Sequence, residues 1–302
     1  MCHIDFLGGP MKKTKAKLAL ISSMTIFATI GIFRRFIYLP SAVVAMARAV
    51  IGTVFLLLLI LLRGSKISLK GVKRNLLPLL ISGVFLGFNW ILLFEAYNYT
   101  SVAVATLCYY MAPVILILIS PIVFKERLTL SKLLCVVLAV VGMALVSGVF
   151  GGAVIDAMNT KGIILGLCAA AFYATVVTCN KKLKNISAFD RTTVQLGISA
   201  VVLAVYTFLF EHDLSNYVIS TETVVMLIIV GVVHTGIAYA LYFGCMDKLK
   251  TQTVAIYSYI DPVGAVLLST IVLGEPIGHN QILGAVLILG ATLASEFADK
   301  KR

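Results

Sequence analysis

Apolar runs of about 20 residues recur along the chain, separated by short polar segments rich in lysine and arginine. A helix needs about 20 apolar residues to cross the roughly 30 Å hydrocarbon core of a bilayer, so the pattern predicts spanning helices. Ten can be placed, at about 17–34, 40–62, 75–97, 101–123, 131–149, 161–180, 191–210, 223–246, 251–273 and 279–298. The connections are short and leave no room for an inserted soluble domain. A membrane β-barrel would alternate apolar and polar residues in short segments, a pattern missing here.

Charge orients these spans. With the N-terminus inside, 21 lysines and arginines fall in inside segments and only Arg34, Arg35 and Lys161 outside, with Arg48 within a span. Such a bias follows the tendency of basic loops to stay cytoplasmic, and it predicts an even span count with both termini inside the cytoplasmic membrane. Composition agrees. The chain is 60% hydrophobic and 13% charged, with a mean hydropathy of +1.03, whereas soluble domains carry roughly 25% charged residues. The net charge of +12 is scattered over short loops, so it reads as a topology signal and not as a nucleic-acid surface.

Six cysteines (Cys2, Cys108, Cys135, Cys168, Cys179 and Cys245) show neither CxxC nor metal-ligand spacing and read as small packing residues. Residues 1–10 differ in character from the rest of the chain. Met11 opens a basic flank, so the first ten residues are either a mis-assigned start or a short cytoplasmic tail.

One span stands apart. Residues 252–276, QTVAIYSYIDPVGAVLLSTIVLGEP, place Asp261 at mid-depth directly before Pro262. An acid there costs about 2.5–3.5 kcal/mol on insertion scales, and proline removes a backbone donor and kinks the helix. The stretch has an echo at 103–127, AVATLCYYMAPVILILISPIVFKER. Pro113 and Pro262 are 149 positions apart, as are Tyr110 and Tyr259, Glu126 and Glu275, and Phe94 and Phe243. Two halves of five spans each, 11–150 and 151–302, must enter the membrane with opposite polarity. The expected fold is therefore an all-α polytopic membrane protein, ten helices in an inverted repeat of five plus five. Substrate sites in such folds lie near the midplane between the halves.

The tracts YYMAPVILILISPIVFKERLTL and YSYIDPVGAVLLSTIVLGEPI resemble the EamA-type ten-helix members of the drug/metabolite transporter superfamily. SAVVAMARAVIG, with its single Arg48, is similar to that family's second span. The sequence departs from the pattern at Lys125, where the family often has glycine, and at Ala112, where the second copy has Asp261. The resemblance implies a carrier for amino acids or other small metabolites, often an exporter, working by alternating access. It also implies a cavity lined mainly by spans one, three, four, six, eight and nine.

The intramembrane polar positions supply the candidate residues. Asp261 and Tyr257, four apart, share one face of a continuous helix and can bind an amino or hydroxyl group or a coupling proton; a structural acid bonded to freed backbone is the alternative. His234 is a substrate contact or proton relay, or a satisfied structural residue. Asn89 can grip a polar substrate or join two helices. Trp90, the only tryptophan, suits a cavity or packing role at mid-span. Glu95 can reach the outer interface. Tyr109 precedes Pro113 and is a candidate for the inner face, whereas Tyr259 points about 200° from Tyr257 and is expected to pack. Arg48 can counter a substrate carboxylate, snorkel, or pair with Glu95 or Asp261. Glu126 and Glu275 read as helix caps or loop anchors. Gly284, Ala291 and Ser295 form a small-residue stripe suited to helix packing or a homodimer contact.

No P-loop is present, so nothing points to ATP hydrolysis, and no cofactor or metal site is implied. The rival classes are a membrane enzyme acting on lipid-linked substrates, for which no HExxH or GxSxG appears, and a channel, for which filter-like loops are missing. The expected partners are the lipid bilayer and a small-molecule substrate, an amino acid, amine or related compound.

Overall fold

The computed structural model describes residues 13–62, 64–125, 129–147, 157–211, 217, 219–246, 248–249 and 251–298. Met11, Cys2, Glu126 and the join between the halves near residue 150 lie outside them. The described elements are all helical. Chain order gives α1 (Lys13–Arg35), α2 (Ser41–Leu62), the short α3 (Leu69–Arg74), α4 (Leu76–Tyr99), α5 (Val102–Tyr109), α6 (Ala112–Phe124) and α7 (Leu130–Val146). The second part holds α8 (Ala157–Lys182), α9 (Ala188–Phe210), α10 (Thr221–Gly231), a π-helical turn (Val232–Ile237), α11 (Ala238–Met246), α12 (Thr251–Ser258), α13 (Ile260–Leu273) and α14 (His279–Ala298).

Among the described residues, seven segments are long and apolar enough to cross a membrane, counting α5 with α6 and α10 through α11 as single spans. Three shorter apolar helices, Leu130–Val146, Ile260–Leu273 and His279–Ser295, accompany them. Apolar side chains face outward all along these helices, for example Leu58, Leu62, Ile122, Phe208 and Ile271. In water that surface would be unstable, whereas lipid accepts it.

Both proline-bearing spans are interrupted, not merely bent. Pro113 and Pro262 have no N–H to give the carbonyls four residues earlier, so the ladder breaks there. α5 stops at Tyr109 and α6 restarts at Ala112; α12 stops at Ser258 and α13 restarts at Ile260. The residues just before the two restarts share a backbone conformation, Met111 at φ −73°, ψ −8° and Tyr259 at φ −74°, ψ −9°. At the far ends the match continues in a left-handed cap, Lys125 at φ 56° and Gly274 at φ 65°. Only the glycine adopts that conformation without a Cβ penalty.

The expectation that Tyr257 and Asp261 share one helix face fails for this reason. Four-residue spacing aligns side chains only along an unbroken helix, and the break at Tyr259 falls between them. Tyr257 instead packs beside the cluster of Leu20, Met24 and Val254.

Packing is close where α7 lies along α14. A Cβ on Gly284 would sit 2.5 Å from the Gly142 carbonyl oxygen, and one on Gly142 would sit 2.8 Å from that of Gly284. Buried Ala291 joins the same contact with α7 residues Ala139 and Met143. The small-residue stripe of α14 thus packs within the chain, as small-residue stripes do between membrane helices.

Candidate functional site

A cavity of about 560 Å³ runs through the centre of the bundle, within the range of about 300–1,000 Å³ typical of small-molecule sites. Its walls come from α1, α2, α4, α5, α6, α8, α9, α11, α12 and α13, and they are rich in aromatic side chains, Trp90, Tyr97, Tyr109, Tyr110, Tyr173, Tyr239, Tyr242 and Tyr259 among them. α7, α10 and α14 contribute nothing to the lining.

Four ionisable groups other than tyrosine face this space: Arg48, Lys181, Arg191 and Asp261. Asp261 sits in the first turn of α13, just past the break. Its Oδ2 accepts a hydrogen bond from the Tyr110 hydroxyl at 2.7 Å. Its Oδ1 has no donor among the described residues.

Arg48 is held differently. Its Nε donates to Thr235 Oγ1 at 2.8 Å, and its guanidinium lies 3.9 Å over the Trp90 ring. Stacking on an aromatic face suits the planar, weakly hydrated guanidinium. The terminal nitrogens make no hydrogen bond among the described residues. Thr235 reaches Arg48 because the π-helical turn shifts the register of the span; its hydroxyl donates to Val230 O, five residues back, at 3.2 Å. Such one-turn π segments recur at functional sites. Gly52 of α2 makes room, since a Cβ there would meet the Thr235 methyl at 2.5 Å.

Arg48 forms no ion pair with Glu95 or Asp261. Glu95 instead accepts from Ser41 Oγ at 2.6 Å and Asn98 Nδ2 at 3.1 Å, and Arg34 Nη2 donates to that same Ser41 at 2.9 Å. Glu95 belongs to the end of the bundle, not to the cavity.

The remaining candidates divide cleanly. Trp90 and Tyr109 line the cavity with Arg48 and Asp261; Tyr257, His234 and Asn89 do not. His234, 1% exposed, pairs its Nε2 with Thr29 Oγ1 at 2.9 Å and meets the Phe33 ring edge-on at 4.8 Å. It fastens the π-helical turn to α1. Asn89 donates to Ala169 O at 2.6 Å and fastens α4 to α8. Tyr259 borders the cavity, yet its hydroxyl donates to Thr292 Oγ1 of α14 at 2.7 Å.

Sequence reasoning passed over Tyr110, Lys181 and Arg191. Tyr110 was already marked by the repeat as the partner of Tyr259. The two bases were read only as loop charges.

A clasp joins three elements away from the cavity lining. Glu275, folded back past left-handed Gly274, lies 2.8 Å from Arg35 Nη2 and accepts the Val102 backbone N–H at 2.9 Å and the Ser269 hydroxyl. Arg35 also donates to Thr100 O at 3.0 Å. A carboxylate at the start of α5 meets the positive end of that helix as well as the guanidinium. This is the only ion pair among the described residues. Glu275 is therefore more than a cap, since it joins α1, the start of α5 and the α13–α14 link. Among the described residues no group of three His, Cys, Asp or Glu side chains is placed to hold a metal, and Cys108, Cys135, Cys168, Cys179 and Cys245 are free thiols.

A multi-pass helical bundle around a polar, aromatic cavity is the build of a membrane transporter. The chain belongs to the EamA-like transporter family, whose pattern matches it twice, over residues 14–148 and 160–295. It is 32% identical to a Bacillus subtilis (strain 168) protein named uncharacterized transporter YxxF, across 92% of this chain and 88% of that one. An uncharacterized transporter of Archaeoglobus fulgidus is 28% identical over 91% of this chain and 94% of its own. RarD of Salmonella typhimurium (strain LT2) is 28% identical over 83% of each. A solved crystal structure superposes with a TM-score of 0.63 at 20% identity, covering 96% of this chain and 99% of that one, and supports the fold.

Proposed function

We propose that the protein is a secondary carrier of small zwitterionic metabolites, α-amino acids foremost, moved across the cytoplasmic membrane by alternating access. The observation that carries this reading is the pair of unfilled polar ends in one cavity, Asp261 Oδ1 and the terminal nitrogens of Arg48. A substrate carboxylate suits the guanidinium, which offers parallel N–H donors. A substrate ammonium suits Asp261, with tyrosine faces adding cation–π attraction. Each charged hydrogen bond contributes about 1.5–3 kcal/mol, roughly ten- to hundredfold in affinity. A coupling proton competes with the ammonium for Asp261, which gives gradient and substrate a common seat.

Ten spans in two inverted halves of five account for the packing. α4 lies along α8 as α11 lies along α1, and α6 lies along α8 as α13 lies along α1. Exchanging the halves maps each contact onto the other, and α2 with α9 and α7 with α14 map onto themselves. With both termini cytoplasmic, the Arg35–Glu275 clasp closes the outer end while the cavity reaches Lys181 and Arg191 at the inner one. A single closed end is what alternating access requires and what an open channel lacks. From this state a carrier loads cytoplasmic solute, in keeping with export.

Reconstituted proteoliposomes given a panel of amino acids, amines and sugar phosphates, with and without a proton gradient, test the reading. Saturable uptake of amino acids that responds to the gradient supports it. Flux that never saturates points to a channel, and chemical turnover without flux to an enzyme.

A further inference from the structure

We propose that the inner mouth of the cavity holds a second anion site, built by Lys181, Arg191 and Asn180, that takes the solute's carboxylate before Arg48 does. This rests on the carrier reading above.

Basic residues at the end of a membrane helix ordinarily set topology or meet lipid headgroups. Lys182 and Lys184 fit that role, being outside the cavity lining, although Lys181 is exposed as they are. Lys181 and Arg191 differ, because both line the cavity.

Arg191 occupies the first turn of α9, where the helix dipole disfavours a cation and favours an anion. It has no carboxylate partner within ion-pair distance among the described residues. Its Nε is buried without a hydrogen-bond partner among the described residues, as are those of Arg34 and Arg35; unlike them, Arg191 lines the cavity. Across the mouth, Lys181 closes the last turn of α8, with Nζ 4.7 Å over the Phe124 ring.

Asn180 completes the donor set. Its Oδ1 is occupied by Gln195 Nε2 at 2.7 Å, and Gln195 is itself fixed by Ser82 Oγ at 2.6 Å. The amide oxygen is thereby engaged, which leaves the NH₂ as the donor Asn180 can offer in the cavity that it lines. Lys181, Arg191 and Asn180 line one cavity in which Asp261 is the single acid, and ammonium, guanidinium and amide N–H groups are the donors that a carboxylate receptor uses. The chain carrying these groups is pinned, since Asn75 donates to Lys184 O at 2.8 Å and accepts the Lys184 N–H at 3.0 Å.

Counting Arg48, the lining holds three bases against one acid. A positive funnel raises the local concentration of a carboxylate and speeds its capture, an effect that weakens with ionic strength. Deeper in, Arg48 and Asp261 then sort zwitterion from simple anion.

The test uses phosphatidylcholine proteoliposomes and an equimolar labelled mixture of the twenty α-amino acids, presented on the Lys181 side. The double variant Lys181→Gln/Arg191→Gln is expected to raise the half-saturating concentration about tenfold while maximal flux stays within about twofold. Added salt should weaken uptake by the native protein and leave the double variant unmoved. Lys182→Gln should behave as native. An unchanged half-saturating concentration overturns the proposal, and so does a loss confined to maximal flux, which would assign the pair to the conformational cycle. If the native protein carries no amino acid, the carrier reading for zwitterions fails first. The mouth is then judged alone by equilibrium dialysis of labelled phenylacetate against the detergent-solubilised protein. Binding weakened by the double substitution but untouched by Asp261→Asn keeps the site. Binding equal in native and double variant removes it, and displacement of phenylacetate by a short-chain phosphatidylglycerol assigns the cluster to lipid headgroups instead.

Discussion

The interrupted spans α5–α6 and α12–α13 have one backbone and two chemistries. Each restarts just before its proline with ψ near zero, at −8° and −9°, and each ends in a left-handed cap. Yet the first span offers Ala112 where the second offers Asp261. The paired tyrosines diverge too: Tyr110 donates to Asp261, while Tyr259 donates to Thr292 of α14. The break is common to both spans and the carboxylate belongs to one, so on the proposed carrier reading the two copies share hinge geometry while one supplies the binding group. The tyrosine of one half serves the acid of the other, which ties the two halves together at the site.

Removing the acid should have the largest effect. Asp261→Asn is expected to lower flux by at least about a hundredfold, since a charged hydrogen bond and the proton seat are lost together, while membrane insertion stays normal by fractionation. Normal flux in that variant would make the two spans equivalent and take Asp261 out of the mechanism. The tyrosine pair sharpens the same contrast. Tyr110→Phe should weaken half-saturation by roughly tenfold, about the value of one hydrogen bond to a charged group. Tyr259→Phe should leave flux within about twofold and lower stability by about 1 kcal/mol, read by thermal unfolding in detergent. Equal effects of the two would erase the difference.

Thr235→Val removes the acceptor for Arg48 Nε and should raise half-saturation several-fold, about 1 kcal/mol. Thr235→Ser should restore it. The left-handed caps give the smallest effect, of opposite sign in the two halves. Lys125→Gly should stabilise by about 1 kcal/mol, and Gly274→Ala should destabilise by about as much or more. Flux in Lys125→Gly should be unchanged.

Much of this was legible in the chain. Span length and hydropathy gave the helical membrane class, and the 149-residue offset gave the paired breaks. Asp261, Arg48, Trp90 and Tyr109 were found because polar or aromatic residues at mid-span are expensive or rare. Tyr257 was misplaced because spacing arguments assume a continuous helix, and Pro262 ends that assumption three residues upstream, at Tyr259. His234 and Asn89 were indistinguishable from cavity residues by type; only packing shows that they bond Thr29 and the Ala169 carbonyl. Lys181 and Arg191 looked like topology charges because a linear pattern cannot tell a side chain aimed into the bundle from one aimed at lipid. Glu126, the mate of Glu275, lies outside the described residues.

The central claim is that Arg48 and Asp261 read opposite ends of one zwitterion. Its most direct test is competition against labelled amino-acid flux by three forms of the best substrate: the amino acid, its deaminated acid and its decarboxylated amine. The native protein should prefer the intact amino acid over both fragments by about tenfold or more. Residual substrate binding by Asp261→Asn should favour the acid over the amine, and that by Arg48→Gln should favour the amine over the acid. The same rank order in all three proteins would contradict the account.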